Sequence, residues 1–266
     1  MRLAGGTLWQ STKVSERGRV LLTGGSARYA EALVARGMEV IAASVTTIAA
    51  PEDGGLALAL AVAHLREDDW VLLTSANAAH RFADAGPSPV GRIVCVGGAT
   101  ADAALGRGLR VEPVGAEAHG AAAARALLAA AGPRPRVLFP RAVDGRDEAV
   151  EILRAGGAVV ELVWAYRTRT ASRTQADVAA ALAALAGGEL DVVAFFAPSQ
   201  VAALVELVGP LGRAALGATA RVAIGATTAQ ALAAAGLAAV AVAAAPEPAA
   251  LVAAVALARA SRRDTT

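Results

Sequence analysis

The stretch "AIGATTAQALAAAGL", Ala223 to Leu237, reads as the end of a strand, a glycine turn and an alanine-rich helix. Earlier, "CVGGATADAALGRGL", Cys95 to Leu109, repeats the layout, with Gly97 facing Gly225, Thr100 facing Thr228, Gly108 facing Gly236 and Leu109 facing Leu237. Alanine matches mean little in this composition, but glycine and threonine matches carry weight. Working outward, short Val/Leu/Ile runs alternate with alanine-rich segments of helical length along the whole chain, the pattern of β/α units around a parallel sheet. Strands are expected at Val20–Thr23, Trp70–Thr74, Arg92–Val96, Val137–Phe139, Val192–Phe196 and Val222–Ile224. Gly37, and Gly156 or Gly157, stand where helix-ending glycines precede the next strand.

At 266 residues, the chain can bury one large or two modest α/β cores. Hydrophobic residues make up 56% and charged residues 18%, which excludes a disordered protein. Aromatics are only 3% and the net charge is +2, so neither base stacking nor a polyanionic partner is indicated, and no nucleic acid is expected. Lys13 is the only lysine, which leaves arginine forks as the cations available to carboxylates. Cys95 has no possible internal disulfide partner and sits in an apolar run, as a buried cytosolic thiol would. The uncharged stretch from Val222 to Ala245 is broken by glycine, threonine and glutamine, so it reads as strand, helix and strand rather than a membrane span. Residues 1–18 lack the apolar run of a signal peptide and read as a partly polar leader.

Three pieces recur in one order. "RVLLTGGSARYAEALVARGMEV" matches "RVLFPRAVDGRDEAVEILRAGGAVV", "WVLLTSANAAHRF" matches "VVAFFAPSQVAALV", and the glycine–threonine element closes each round. A strand that opens into a helix through glycine leaves backbone N–H donors pointing outward, with the positive end of the helix dipole behind them, so such a corner holds an anion. Thr100, Thr227 and Thr228 could cap these helices or donate to a ligand. The turns at Ser75 and Asn77, and at Pro198 and Ser199, are similar corners, and together they point to a binding cleft at the carboxyl ends of the strands. Familiar catalytic sets are absent: there is no Walker pattern, no complete dinucleotide fingerprint and no nucleophile elbow. His64, His80 and His119 are widely spaced and form no metal-ligand pattern. Arg141 and Arg146 follow a strand and could meet carboxylates.

In order, "WVLLTSANAAHRF", "VGGATADAAL", "VLFPRAVDGRDE…LRAGGAVVELVWAYRT", "FFAPSQV" and "AIGATTAQAL" resemble the uroporphyrinogen-III synthase family, from about Arg19 to Leu257. The resemblance implies two doubly wound α/β domains joined by a two-stranded connector, with "VIAASVTTI" and "VELVWAYRT" as the crossings. The domains would be 19–44 plus 167–258, and 45–166. This differs from the cut near Pro133 that the breaker cluster Gly132–Arg136 suggests by composition. It also implies a monomeric cytoplasmic enzyme, with no cofactor or metal, that converts linear hydroxymethylbilane to uroporphyrinogen III with loss of water, its substrate passed by transient handover from hydroxymethylbilane synthase. Tyr166 matches the family's active-site tyrosine and becomes the candidate donor to the departing hydroxyl. Ser75, Asn77, Gly97, Thr100, Arg141, Pro198, Ser199, Gly225, Thr227 and Thr228 become candidate substrate contacts. Two departures stand out: Thr23-Gly24-Gly25 where the family often has threonine-arginine-proline, and Ala197 where serine is common. The residues alone also admit a non-catalytic two-domain binding or sensor protein for a carboxylated small molecule.

Overall fold

The computed structural model describes residues 18–25, 27–86, 91–113 and 119–263. All but Gly18 of the expected leader lies outside them. In chain order the elements are β1 (Arg19–Leu22), α1 (Ala27–Val34), β2 (Glu39–Ala42), β3 (Thr46–Ala49), α2 (Leu56–Ala63), β4 (Trp70–Leu73), α3 (Ala76–Asp84), β5 (Arg92–Cys95), α4 (Gly98–Leu105) and α5 (Gly120–Ala130). There follow β6 (Arg136–Ala142), α6 (Glu148–Ala155), β7 (Val159–Thr170), α7 (Ala176–Ala186), β8 (Val192–Phe195), α8 (Pro198–Ala218), β9 (Ala220–Ala223), α9 (Ala226–Ala234), β10 (Ala241–Val242) and α10 (Pro248–Arg263). The strand–helix–strand reading of the uncharged stretch from Val222 is thereby met by the end of β9, α9 and β10. Gly157, not Gly156, takes the left-handed conformation after α6, at φ 84.

These elements fall into two compact units. One runs to Thr47 and resumes at Arg169, and the other is Ile48–Thr168. The first holds a five-stranded sheet in the order β10-β9-β8-β1-β2, and the second one in the order β3-β7-β6-β4-β5. The pairs β1–β2, β1–β8, β8–β9 and β9–β10 are parallel, as are β4–β5, β4–β6 and β6–β7. Pro133 lies inside the second unit, between α5 and β6.

The repeated pieces explain this order. The first piece is β1-α1-β2 in one unit and β6-α6-β7 in the other; the second is β8-α8 and β4-α3; the third is β9-α9 and β5-α4. Laid side by side, β9-β8-β1-β2 and β5-β4-β6-β7 are the same sheet, extended by β10 in one unit and by β3 in the other. Each unit therefore takes its first piece from one round of the repeat and its second and third from the other round.

Alternation in each strand feeds two apolar layers, as a sheet covered on both faces requires. In the first unit Leu21, Val193 and Phe195 pack with α7 and α8, while Val20, Leu22, Val192 and Ala194 pack with α1 and α10. In the second, Val71, Leu73, Ile93 and Cys95 pack with α3, while Trp70, Leu72 and Val94 pack with α5 and α6. By length and composition α8 could cross a membrane. Gly209, at φ 63 and ψ −173 just before Pro210, breaks it, so neither half reaches the roughly 20 residues that a span needs.

Candidate functional site

In both sheets the strand order reverses around one pair of neighbours, β8 and β1 in the first unit and β4 and β6 in the second. The carboxyl ends of such pairs border the crevice in which α/β sheets bind ligands. In the second unit β4 runs through Thr74 into Ser75, whose extended backbone (φ −156, ψ 152) caps α3 and whose Oγ accepts from the Ala78 N–H at 3.1 Å. The same Oγ lies 3.0 Å from the hydroxyl of Tyr166. Strand β7 therefore delivers a phenol past β6 to the end of β4.

That delivery depends on an irregularity in β7. Arg141 of β6 pairs with Trp164, but the next residue, Ala142, pairs with Tyr166, so Ala165 is the extra residue of a bulge. Strict alternation places Val163 and Ala165 on one face of the sheet and Tyr166 on the other. The bulge restores Tyr166 to the α3 side, where it packs in one cluster with Val163, Ala165 and Leu138. Bulges beside strand ends commonly re-aim a side chain in this way. The ring is buried, at 8% exposure, and its oxygen meets the Ser75 corner.

The remaining predicted positions divide between the units. Ser75, Asn77, Gly97, Thr100, Arg141 and Tyr166 belong to the second, and Pro198, Ser199, Gly225, Thr227 and Thr228 to the first. Asn77 is the second residue of α3 and is half-buried. Pro198 and Ser199 open α8 and are exposed. Gly97 and Gly225 are the caps of α4 and α9, and neither helix has a side-chain cap. The threonines are thus not caps. Thr100 and Thr228, each the third residue of its helix, are buried, whereas Thr227 is exposed. The two adjacent threonines of the opening stretch point to different environments, and only Thr227 offers its hydroxyl to solvent. The aligned glycines also differ. Gly97 needs its freedom, at φ 73, but Gly225 is extended, at φ −175, and a Cβ there would meet nothing within 4 Å. Neither conformation nor packing demands glycine at 225, which leaves open space in front of the first amides of α9, the use of glycine where a ligand approaches the backbone.

Arg141 departs from its expected role as a carboxylate contact. It is buried, at 4% exposure. Its Nε donates to the Ala142 carbonyl, Nη1 to the Arg146 carbonyl and the Asp147 carboxylate, and Nη2 to the Gly145 carbonyl. Four of five guanidinium donors are spent holding the loop that leads into α6, and the charge rests over the Trp164 ring. Gly145 has no room for a Cβ because Arg141 Nε would lie 2.6 Å away.

In the first unit Gln200, which the sequence reading did not single out, closes the switch point. Its Oε1 accepts from Thr23 Oγ1 and from the Phe196 N–H, both at 2.8 Å. Its amide nitrogen lies 2.3 Å from where a Cβ on Gly24 would stand, and a Cβ on Gly25, at φ 92, would lie 2.9 Å from the Phe196 ring. Gly25 is thus explained by its backbone conformation and by the Phe196 ring, whereas the crowding at Gly24 is with the end of the Gln200 side chain alone. On the opposite face of the second sheet from Tyr166, at the same carboxyl edge, a cavity of about 580 Å³ opens over Thr74, Val96 and Phe139. His119, Arg125 and Arg146 also line it, and of these sequence reasoning had flagged only Arg146 as a carboxylate contact; no periodic or motif signal marks Arg125. Among the described residues no three His, Cys, Asp or Glu side chains gather to hold a metal ion.

The profile of the uroporphyrinogen-III synthase HemD family matches residues 27–253. Among solved structures, a mutant uroporphyrinogen III synthase from the extreme thermophile Thermus thermophilus is similar at 20% identity and a TM-score of 0.54, covering 93% of this chain and 98% of its own. Uroporphyrinogen-III synthetase from Helicobacter pylori is similar at 14% identity and a TM-score of 0.57, covering 90% and 99%. Both share the two-unit α/β fold. No curated protein sequence matches.

Proposed function

The chain belongs to the uroporphyrinogen-III synthase family, and from that premise we propose that it cyclises hydroxymethylbilane to uroporphyrinogen III, inverting the terminal pyrrole ring and releasing water. The observation that carries this reading is the Tyr166–Ser75 pair beside the switch point of the second sheet. The chemistry needs little more. Loss of hydroxide from a hydroxymethyl group conjugated to an electron-rich pyrrole yields an azafulvene that is already strongly electrophilic, so no nucleophile, metal or cofactor has to be supplied. In this reading the Tyr166 hydroxyl donates to the departing oxygen, and Ser75, itself fixed by the Ala78 N–H, keeps the phenol oriented.

The harder task is geometric. Attack must fall on the substituted carbon of the terminal ring, through a spiro intermediate, whereas unguided closure gives the non-inverted isomer. Rate and outcome then depend on holding a flexible polycarboxylate in one curled conformation. The amide ends of α4 and α9, with open space before Gly225, and the exposed corner at Pro198 and Ser199 are suited to acetate and propionate groups. We assign the protein to the cytoplasm as a monomer that accepts the short-lived bilane by transient handover from a hydroxymethylbilane synthase. The test is direct. Bilane generated in place and incubated with the protein should give mainly the type III isomer. A product mixture equal to that of the protein-free control would overturn the assignment, and binding without turnover would favour a tetrapyrrole-binding protein instead.

A further inference from the structure

We propose that Arg141 is the positioning residue of Tyr166: one guanidinium fastens the chain on both sides of the β7 bulge and so sets the register that turns the phenol toward Ser75. What this does for turnover rests on the synthase reading above; the positioning itself does not.

A bulge needs a reason to stay where it is. Without the extra residue, Ala142 would pair with Ala165 instead of Tyr166. Tyr166 would then turn to the opposite face of the sheet, away from Ser75, because a one-residue slip exchanges the two faces of a strand. Little in the bulge itself opposes that slip. Ala165 brings a single methyl group, and "VELVWAYRT" contains no glycine or proline to fix a kink.

Arg141 supplies the anchors. It forms with Trp164 the last regular pair before the bulge, on the face opposite Tyr166, and its guanidinium carbon lies 5.4 Å from the centre of the Trp164 ring. Beyond the bulge the same group works through the other strand. The Tyr166 carbonyl accepts from the Val143 N–H at 3.0 Å, and Val143 stands in a turn closed by the Gly145 N–H on the Ala142 carbonyl, also at 3.0 Å. Arg141 Nε donates to that Ala142 carbonyl, Nη2 to the Gly145 carbonyl, and Nη1 to the Arg146 carbonyl and the Asp147 carboxylate. The turn that meets Tyr166 is thus tied to the guanidinium that meets Trp164. At 4% exposure, this charge is kept where an apolar side chain could pack. A buried ionic group adds little stability over such a replacement, and its best-attested use is to fix a register.

The experiment uses the full chain with tyrosine isotope-labelled at Cζ, which gives two signals because the chain has two tyrosines; Tyr29→Phe assigns them. Tyr29 lies in the first unit and donates to the Pro246 carbonyl at 2.7 Å, so it is the internal control. Arg141→Lys keeps the charge and loses the fork. The expected result is that the Tyr166 signal moves to where Ser75→Ala places it, while the Tyr29 signal stays. With bilane generated in place, kcat should fall about tenfold or more with KM within about twofold of wild type. Added to Tyr166→Phe, Arg141→Lys should cost nothing further in kcat. A Tyr166 signal at its wild-type position, or losses that multiply in the double variant, would overturn the proposal. Should Arg141→Lys unfold, with collapse of both signals, Trp164→Leu puts the same question at a ring that is 40% exposed: a shift of the Tyr166 signal alone supports the positioning, and an unmoved signal overturns it. Turnover separates the two ideas. A chain whose Tyr166 signal follows Arg141 but which makes no type III product keeps the positioning and loses the synthase reading. A chain whose Arg141→Lys variant makes type III product at wild-type kcat keeps the synthase reading and loses the positioning.

Discussion

Replacing Tyr166 by phenylalanine removes one oxygen and leaves the buried ring in place. At 8% exposure the ring's packing with Val163, Ala165 and Leu138 is retained, so the structural cost is the 3.0 Å hydrogen bond to Ser75 alone. Ser75 Oγ keeps the Ala78 N–H at 3.1 Å and is not left unsatisfied, which puts the cost near the lower end for a neutral hydrogen bond, about 0.5–1 kcal/mol. For a chain of this length that is a fall in Tm of about 1–4 °C. Loss of a proton donor to a leaving group, by contrast, costs on the order of 10²-fold or more in kcat, or about 2.7 kcal/mol of barrier. The two effects are separable in size. The assay generates bilane in place, oxidises the products to porphyrins and resolves their isomers, with thermal melts on the same samples. We expect kcat to fall about a hundredfold, and the type I share to rise because spontaneous closure now competes. Wild-type kcat in Tyr166→Phe, or a rate loss no larger than the loss of folded protein, would refute the reasoning.

Three further outcomes can be checked without substrate. Gly25→Ala imposes a Cβ at φ 92 and 2.9 Å from the Phe196 ring, and should destabilise the first unit by at least about 1–2 kcal/mol; a denaturation midpoint equal to wild type would show that the corner yields freely. The Ser44 N–H donates to Asp177 Oδ2 at 2.9 Å and holds that carboxyl's pKa below its ordinary 3.8, so its stabilising effect is full above the unfolded value and lost as pH falls through the folded one. The stability gap between wild type and Asp177→Ala should therefore narrow in urea titrations as pH drops below about 4, and a gap independent of pH would contradict this. Burial raises the Cys95 thiol to about 11, so the native protein at pH 8 should not react with a disulfide reagent, whereas the unfolded chain should react at its single thiol; stoichiometric labelling of the native state would count against it.

What was legible in the residues was the part written in local pattern. Apolar runs of strand length followed by alanine-rich helical segments specify β/α units wherever they fold, and six expected strands correspond to β1, β4, β5, β6, β8 and β9. The glycine–threonine repeat located two of the corners, and "AYRT" located Tyr166. What those residues do there was decided by partners distant in sequence. Ser75 and Tyr166 are 91 residues apart, and the bulge that brings them together is a mismatch between β6 and β7 that neither strand shows alone. Gly97 and Gly225 align in sequence yet only the first is left-handed, and Arg141 is drawn into its own loop while Arg125, unmarked by any motif, lines the cavity.

The sequence by itself determined the repeated units, their order along the chain and the residue types available at each strand end, because propensity and hydrophobic period act over a few residues. Only the tertiary structure decided the register of each strand pair, the bulge in β7 and which donors stay unspent. Strand pairing, register and hydrogen-bond satisfaction are settled by contacts between segments that the chain sequence keeps far apart.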